Sequence, residues 1–402
     1  MNWLNFFAAD ASDGIGPFLA TYLISTSHWD ESSVGVVLLT LNLATVIAQT
    51  PAGFAIDRTR HKRVLIATAC TVIAGCVLVP AVAPERAPVL ISCALIGVAA
   101  AIVPPAISAV TLGIVGPDGF TRQTGSNQAF NHAGNFFAAT AIGVTAYLVI
   151  DWALFPVVAA LAACAALTVL RIPERTIRHD VARGGFSEGG GDADGPTAAE
   201  GLRRIASNRP LMIFMVSVAL FHLANAPMLP LAGQNIAKNH QELATVYMSV
   251  CVIVAQIVMI GVAALIGARS ERWGRKPFLL LGFGVLPLRG LWFSQVENPY
   301  LVILGQVLDG VGAGVYGVIV FLVVADLTRG SGIYNFATSV VITLQGLGAS
   351  LGSWVGEVWA GSLGYSMAFA LLTGLAVVAL TIIAVFMPET RAAPANARAA
   401  PT

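Results

Sequence analysis

Long apolar runs, separated by short polar or Gly/Pro-containing breaks, set the pattern of this chain. They fall at about 3–26, 33–56, 64–83, 87–115, 125–149, 152–172, 210–235, 244–268, 277–296, 299–326, 331–359 and 364–387. Each approaches the roughly 20 residues that a helix needs to cross a bilayer core of about 30 Å. None alternates over about ten residues as a barrel strand does. The pattern predicts an all-α integral membrane protein with twelve transmembrane helices. Composition agrees: 56% of the 402 residues are apolar and only 11% are charged, against about 25% charged in a soluble domain. That argues against a water-soluble enzyme, and a net charge of +1 argues against a nucleic-acid binder. The five cysteines, Cys70, Cys76, Cys93, Cys164 and Cys251, all sit in apolar runs, where a free thiol behaves as a small hydrophobe.

Cationic side chains set the orientation. With the N-terminus in the cytoplasm, 19 of the 22 Lys and Arg fall on the cytoplasmic side. Arg86 and Lys238 fall outside, and Arg289 lies inside a span. Both termini are therefore expected in the cytoplasm, in an inner (plasma) membrane. The first run lacks a basic leader and carries two aspartates, so it reads as a span rather than a signal peptide.

The long hydrophilic stretch 174–208 divides the spans six and six. It holds a Gly-rich flexible segment at 184–196 and a short amphipathic helix over Ala198–Ser207, with Leu202 and Ile205 on one face. The division predicts an N-terminal bundle (1–173), this cytoplasmic linker, a C-terminal bundle (209–390) and a disordered tail (391–402). The halves also repeat. Gly53…Asp57-Arg58 returns as Gly267…Glu271-Arg272, 214 positions later, and Ile172-Pro173-Glu174 returns as Met387-Pro388-Glu389. Thr121-Arg122 and Leu95…Gly97-Val98 return as Thr328-Arg329 and Leu308…Gly310-Val311. Four matches in order, at nearly constant offset, argue for duplication.

These motifs resemble those of the major facilitator superfamily. The second copy, Gly267…Glu271-Arg272-Trp273-Gly274-Arg275-Lys276, matches the family's loop pattern throughout. The first departs from it, with Arg60 and His61 where Gly and Arg are usual. The resemblance implies two pseudo-symmetric six-helix bundles around a cavity open alternately to each side. It also gives Gly53, Asp57, Arg58, Gly267, Glu271, Arg272, Gly274 and Arg275 a gating role.

Polar groups inside the spans mark the candidate chemistry. A carboxylate at mid-membrane costs about 2.5–3.5 kcal/mol. Asp10 and Asp13 share a face of span one (i,i+3) ahead of the helix-loosening run Gly14-Ile15-Gly16-Pro17. They are read as proton or cation sites. Arg289 and Asp309 stand at similar depth in spans nine and ten and are expected to pair, with a coupling or a purely structural role both open. Asp326 and Glu357, near span ends, are expected to be solvated. Span five carries Thr124, Asn127, Gln128, Asn131, His132 and Asn135 on one helical face. Lipid cannot satisfy amides, so this face must meet protein or water, and cavity lining with substrate contact is favoured over helix packing. Weaker polar faces hold Asn42, Thr45 and Gln49; His222 and Asn225; Gln256; and Asn335, Thr338 and Gln345. In the resembled family the spans carrying these faces line the cavity. His222 by itself reads as a packing residue.

No Walker A or His-Glu-x-x-His motif occurs, and no metal or cofactor is expected. The chain is read as a monomeric secondary transporter moving a small neutral or cationic organic solute, with protons or cations as coupling partners, by efflux. Uptake by symport or facilitated diffusion is the alternative. A divalent-metal exporter using Asp10, Asp13, His132 and His222 is a more distant one.

Overall fold

The computed structural model describes residues 1–9, 19, 23, 29, 31–148, 154–184, 197–239 and 244–391. Among them all regular structure is helical, with no strand. The principal helices are α1 (Asn2–Ala8), α2 (Glu31–Arg58), α3 (Lys62–Cys76), α4 (Arg86–Leu148), α5 (Leu154–Leu170), α6 (Ala198–Ser207), α7 (Arg209–Asn225), α8 (Ala244–Trp273), α9 (Lys276–Gln295), α10 (Pro299–Leu327), α11 (Tyr334–Leu363) and α12 (Tyr365–Phe386).

Nine helical segments of the described residues are long and apolar enough to cross a membrane. Three features relate that number to twelve. The segment Arg86–Ile142 has 57 residues, about 85 Å of helix at 1.5 Å per residue, which is two crossings. The apolar helix Phe155–Leu170 is short, and most of span one lies outside the described residues. The break expected after residue 115 is present but carries no extended loop. The chain instead bends within α4 at Gly116, whose φ of 70° favours glycine, and Pro117 opens the next helix. Arg122, expected in that loop, is helical.

In α2 the logic of a span is plain. Leu39, Leu43 and Ile47, one turn apart, are 51–65% exposed, as lipid-facing positions must be. Asn42, Thr45 and Gln49 lie on another face, turned toward α11. Packing gathers into two apolar clusters. One joins Leu4, Ile56, Ile66, Ile96, Val110, Phe155 and Val169. The other joins Phe214, Phe283, Val315, Val323, Phe369 and Ile383.

Helix α6 forms where the linker pattern places it, closed by a reciprocal Thr197–Glu200 capping box. Its buried face differs from the expected one. Gly201 and Ile205 are buried, with the Phe336 ring against Gly201, whereas Leu202 is exposed. The i,i+4 pair makes the packing stripe, and Leu202 sits about 100° further round.

Candidate functional site

At the end of the molecule that carries the repeated loops, the two bundles close on each other through two contacts. In the first, Asp57 reaches the start of α11. One carboxylate oxygen accepts from Asn335 N (3.2 Å) and Asn335 Nδ2 (2.7 Å), and the other accepts from Phe336 N (2.8 Å). The first N–H groups of a helix have no partner within it and carry partial positive charge, so a carboxylate fits there. Gly53, one turn back on α2, lets the helices touch: a Cβ would overlap the Ser339 hydroxyl and stand 2.5 Å from the Asn335 carbonyl oxygen. Above it, the Thr50 and Thr343 hydroxyls bond at 2.9 Å. The Arg58 guanidinium lies 4.5 Å over the Phe54 ring.

The second contact joins α4 and α8. Gly125 packs on Gly267 so closely that a Cβ on Gly125 would overlap the Gly267 Cα. Beside it Arg275, 3% exposed, donates to Asp326 (3.0 Å), Glu271 (2.6 Å), Thr121 (2.9 Å) and Ser270 (3.1 Å). Thr121 also donates to Glu271. Asp326, expected to be solvated, is buried in this network, because its helix ends beneath the guanidinium that it neutralises. Arg272 is exposed, and its carbonyl accepts from Arg391 at 3.0 Å.

Glu389 explains Gly274. The glycine has φ 90°, and a Cβ there would overlap the Glu389 carboxylate, which accepts from Arg275 N (2.8 Å) and Lys276 N (3.0 Å) at the start of α9. The first copy is built otherwise. With Arg60 in the place of Gly274, Glu174 instead pairs with the Arg63 side chain at 2.6 Å, and Lys62 Nζ donates to the Thr59 carbonyl at 2.6 Å. Burial acts to raise the pKa of Glu389, but the N–H groups of Arg275, Arg391 and Lys276 outweigh it and hold the carboxyl below its ordinary range. A depressed carboxyl stabilises the fold above the unfolded pKa and loses that contribution as pH falls through the folded one. Glu389→Gln is therefore expected to lower the apparent Tm at pH 7 and to leave it nearer wild type at pH 3–4, in a thermal-unfolding series across pH.

The linker bridges both bundles at this end. Arg178 N donates to Gly113 O (3.1 Å), and Arg183 O and Gly184 O accept from Tyr334 N (3.2 Å) and Gly330 N (2.6 Å). The Ser108 and Tyr334 hydroxyls meet at 2.6 Å between the bundles. Ser108, Thr121, Asp326, Tyr334 and Glu389 were outside the candidate set, since each partner comes from a remote part of the chain. Only the repeated Pro-Glu pair signalled Glu389.

Away from the repeated loops, α2 and α11 separate around an opening of about 330 Å³, lined by Asn42, Thr45, Val46 and Gln49 and by Ile342, Thr343, Gln345, Gly346, Ala349, Ser350 and Ser353. Among the described residues its polar side chains are amides and hydroxyls alone. Gln345 also accepts from the Tyr316 hydroxyl at 2.8 Å. A smaller cavity of about 50 Å³ lies against Asn5, Ser108, Thr111, Thr124, Asn127, Gln128, Asn131 and Phe321.

The span-five face thus divides. Asn127 is held in packing, accepting from Gln123 (2.9 Å) and donating to Thr111 (2.9 Å). It borders the smaller cavity together with Thr124, Gln128 and Asn131, and Asn135 is half-buried. His132 Nδ1 meets Gln256 of α8 at 3.0 Å. His222 bonds the Val218 carbonyl at 3.0 Å and packs against the Tyr316 ring, 4.6 Å between centroids. The expected ion pair forms: Arg289 Nη1 donates to Asp309 (2.6 Å) and Asn225 (2.9 Å), and Nη2 to Gln306 (3.0 Å). Asn225 is thereby engaged inside the C-terminal cluster rather than in the opening. Asp10 and Asp13 lie outside the described residues. Among the described residues, no three His, Cys, Asp or Glu side chains gather as metal ligands.

A family model described as Major Facilitator Superfamily matches residues 1–286 and 259–402. An uncharacterized MFS-type transporter of Mycobacterium tuberculosis is 41% identical over 403 residues, covering all of this chain and 96% of that protein. A putative polyol transporter of Arabidopsis thaliana is 29% identical over 176 residues, 39% of this chain and 32% of that protein. Among solved structures, the proton:xylose symporter XylE bound to 6-bromo-6-deoxy-D-glucose is similar at a TM-score of 0.71, with 14% identity over 97% of this chain and 94% of that one. FucP in the outward conformation is similar at 0.76, with 14% identity over 97% and 98%. Those two likenesses show the fold: twelve transmembrane helices in two pseudo-symmetric bundles. With repeated loops, paired bundles and a polar opening between them, the chain belongs to the major facilitator superfamily, as a membrane-spanning secondary transporter working by alternating access and not an enzyme.

Proposed function

We propose that this transporter exports a small neutral or cationic organic solute in exchange for protons, and that the opening between α2 and α11 takes the solute. The observation that carries this reading is the lining of that opening by amides and hydroxyls, which suits a hydrogen-bonding solute without fixed negative charge. Asn42, Gln49 and Gln345 contact it there, with Gln128, Asn131, His132, Asn135 and Gln256 reached as the bundles rock. Asp10 and Asp13 exchange the proton, and the Arg289–Asp309 pair answers to it. The basic-residue bias supports a cytoplasmic repeated-loop end, so the opening faces outward, in the inner (plasma) membrane. The bundles divide at 1–173 and 209–390, joined by the 174–208 linker and followed by the 391–402 tail. The chain acts as a monomer.

Proteoliposomes with an imposed pH gradient test this, after a thermal-shift screen of polyols, sugars and organic amines supplies a solute. Asp13→Asn is expected to abolish gradient-driven accumulation while leaving solute–solute exchange. Full gradient-driven transport by Asp13→Asn overturns the proton role. Uptake by symport is the second reading, favoured by the uncharged lining and by the polyol and xylose named for two similar proteins. Solute moving with the proton, rather than against it, selects symport.

A further inference from the structure

One contact between α4 and α8 contains a histidine that nothing in the transport reading uses as an acid or base. The helices pack backbone to backbone at Gly125 and Gly267. Seven residues further along α4, about 10 Å, His132 Nδ1 meets Gln256 Oε1 at 3.0 Å. An amide oxygen only accepts, so the neutral ring carries its proton on Nδ1. Nε2 is then a bare acceptor, buried and, among the described residues, without a partner. It faces Gly317 of α10, where a Cβ would stand 3.8 Å from Nε2 and 3.6 Å from Gln128 Oε1. The counterpart of Gln256 in the repeat, 214 positions earlier, is Asn42, which lines the opening. The same position is bonded across the bundles on one side and open on the other.

We infer that His132 is a proton-operated tie between the bundles: neutral, it holds the repeated-loop end shut through Gln256, and protonated, it favours separation. This rests on alternating access but not on any particular solute. The physical reason is the bare nitrogen. A proton on Nε2 places a cationic N–H in a buried spot with no acceptor in place, and leaving a buried charge unpaired is costly. Parting α4 from α8 and α10 hydrates it. Among the described residues no fixed negative charge opposes this. The titrating groups on the surrounding elements are Cys251 of α8, more than a turn beyond Gln256; Tyr316 and Asp309 of α10, the latter paired with Arg289; and His222 of α7, packed on Tyr316. Asp10 and Asp13 of the first span lie outside the described residues. The residues of α1 that are described, through Ala9, carry no acid or base in their side chains.

Hydrogen exchange read by mass spectrometry on the full chain in nanodiscs, without added solute, tests the tie. Exchange of 121–128 and 260–270, corrected for the intrinsic pH dependence, reports separation. One extra proton bound in the separated state changes its population by up to about tenfold per pH unit, so wild type should exchange up to about tenfold faster per unit between pH 7 and 5. His132→Gln keeps a donor for Gln256 but cannot take the proton, and its corrected exchange should be flat with pH. Gln256→Glu gives the imidazolium a carboxylate partner and should reverse the sign, slowing exchange on acidification. A flat wild type, a His132→Gln protein with the wild-type response, or a Gln256→Glu protein that still opens in acid each overturns the proposal.

Discussion

Asp309→Asn is expected to lower the stability of the C-terminal bundle by about 3–5 kcal/mol, the usual result of stripping one partner from a buried ion pair. Arg289 is 1% exposed. Among the described residues its guanidinium has the Asp309 carboxylate at 2.6 Å and only the neutral oxygens of Asn225 and Gln306 besides, with the Phe293 ring 5.2 Å away. Asparagine retains an acceptor but not the charge. The double variant Arg289→Met, Asp309→Leu removes both charges and should recover most of the loss, because an apolar pair of similar volume often matches a buried ion pair. Thermal unfolding in detergent, with chemical denaturation where it is reversible, measures both. An Asp309→Asn protein within about 1 kcal/mol of wild type contradicts the assignment, since that is the worth of an exposed pair. Transport by the stable double variant separates the roles. Coupling through Asp309 predicts that gradient-driven movement is lost although the fold is intact.

Gly125→Ala and Gly53→Ala are expected to reduce transport to background while the bundles stay folded. At both positions the added Cβ meets atoms of the opposite bundle: the Gly267 backbone and Ala263 carbonyl for Gly125, and the Asn335 carbonyl and Ser339 for Gly53. Backbone cannot step aside as a side chain tip does, so the repeated-loop end is held apart and the cycle stops. Gly261→Ala on α8 is the control, since its Cβ meets nothing within 4 Å, and alanine removes the helix cost of glycine, about 1 kcal/mol. Flux in proteoliposomes, with a thiol reagent reaching Ser339→Cys from the repeated-loop side, distinguishes a jammed closure from an unfolded protein. Normal flux through Gly125→Ala would show that α4 and α8 never close as seen here.

Much of the fold was legible because a bilayer imposes a length and a polarity on every span. The Gly267…Arg275 repeat and the Pro-Glu pair also placed the closing contacts near the right residues. The break after span four was legible, since the apolar run ends at 115 and the bend falls at Gly116. That 117–124 continue as helix was not, because their polar residues read equally well as a loop. Asp326 was misread as solvated for a related reason. Its neutralising partner, Arg275, comes from the start of another helix 51 positions away. Leu202 was placed on the wrong face of α6 because helical periodicity alone does not say which stripe meets the Phe336 ring.

By itself, the sequence determined that this protein is a duplicated array of membrane helices with hydrophilic groups turned inward, because lipid accepts apolar side chains and offers amides no partner. Only the tertiary structure decided how those groups are used. Asn127 and Asn225 are bound up in side-chain networks within one bundle. Asn42, Gln49 and Gln345 border a space, and Asp57 and His132 reach across to the opposite bundle. An amide or a carboxylate carries the same hydrogen-bonding capacity in each setting, and only its neighbours, brought together from distant parts of the chain, fix what it does.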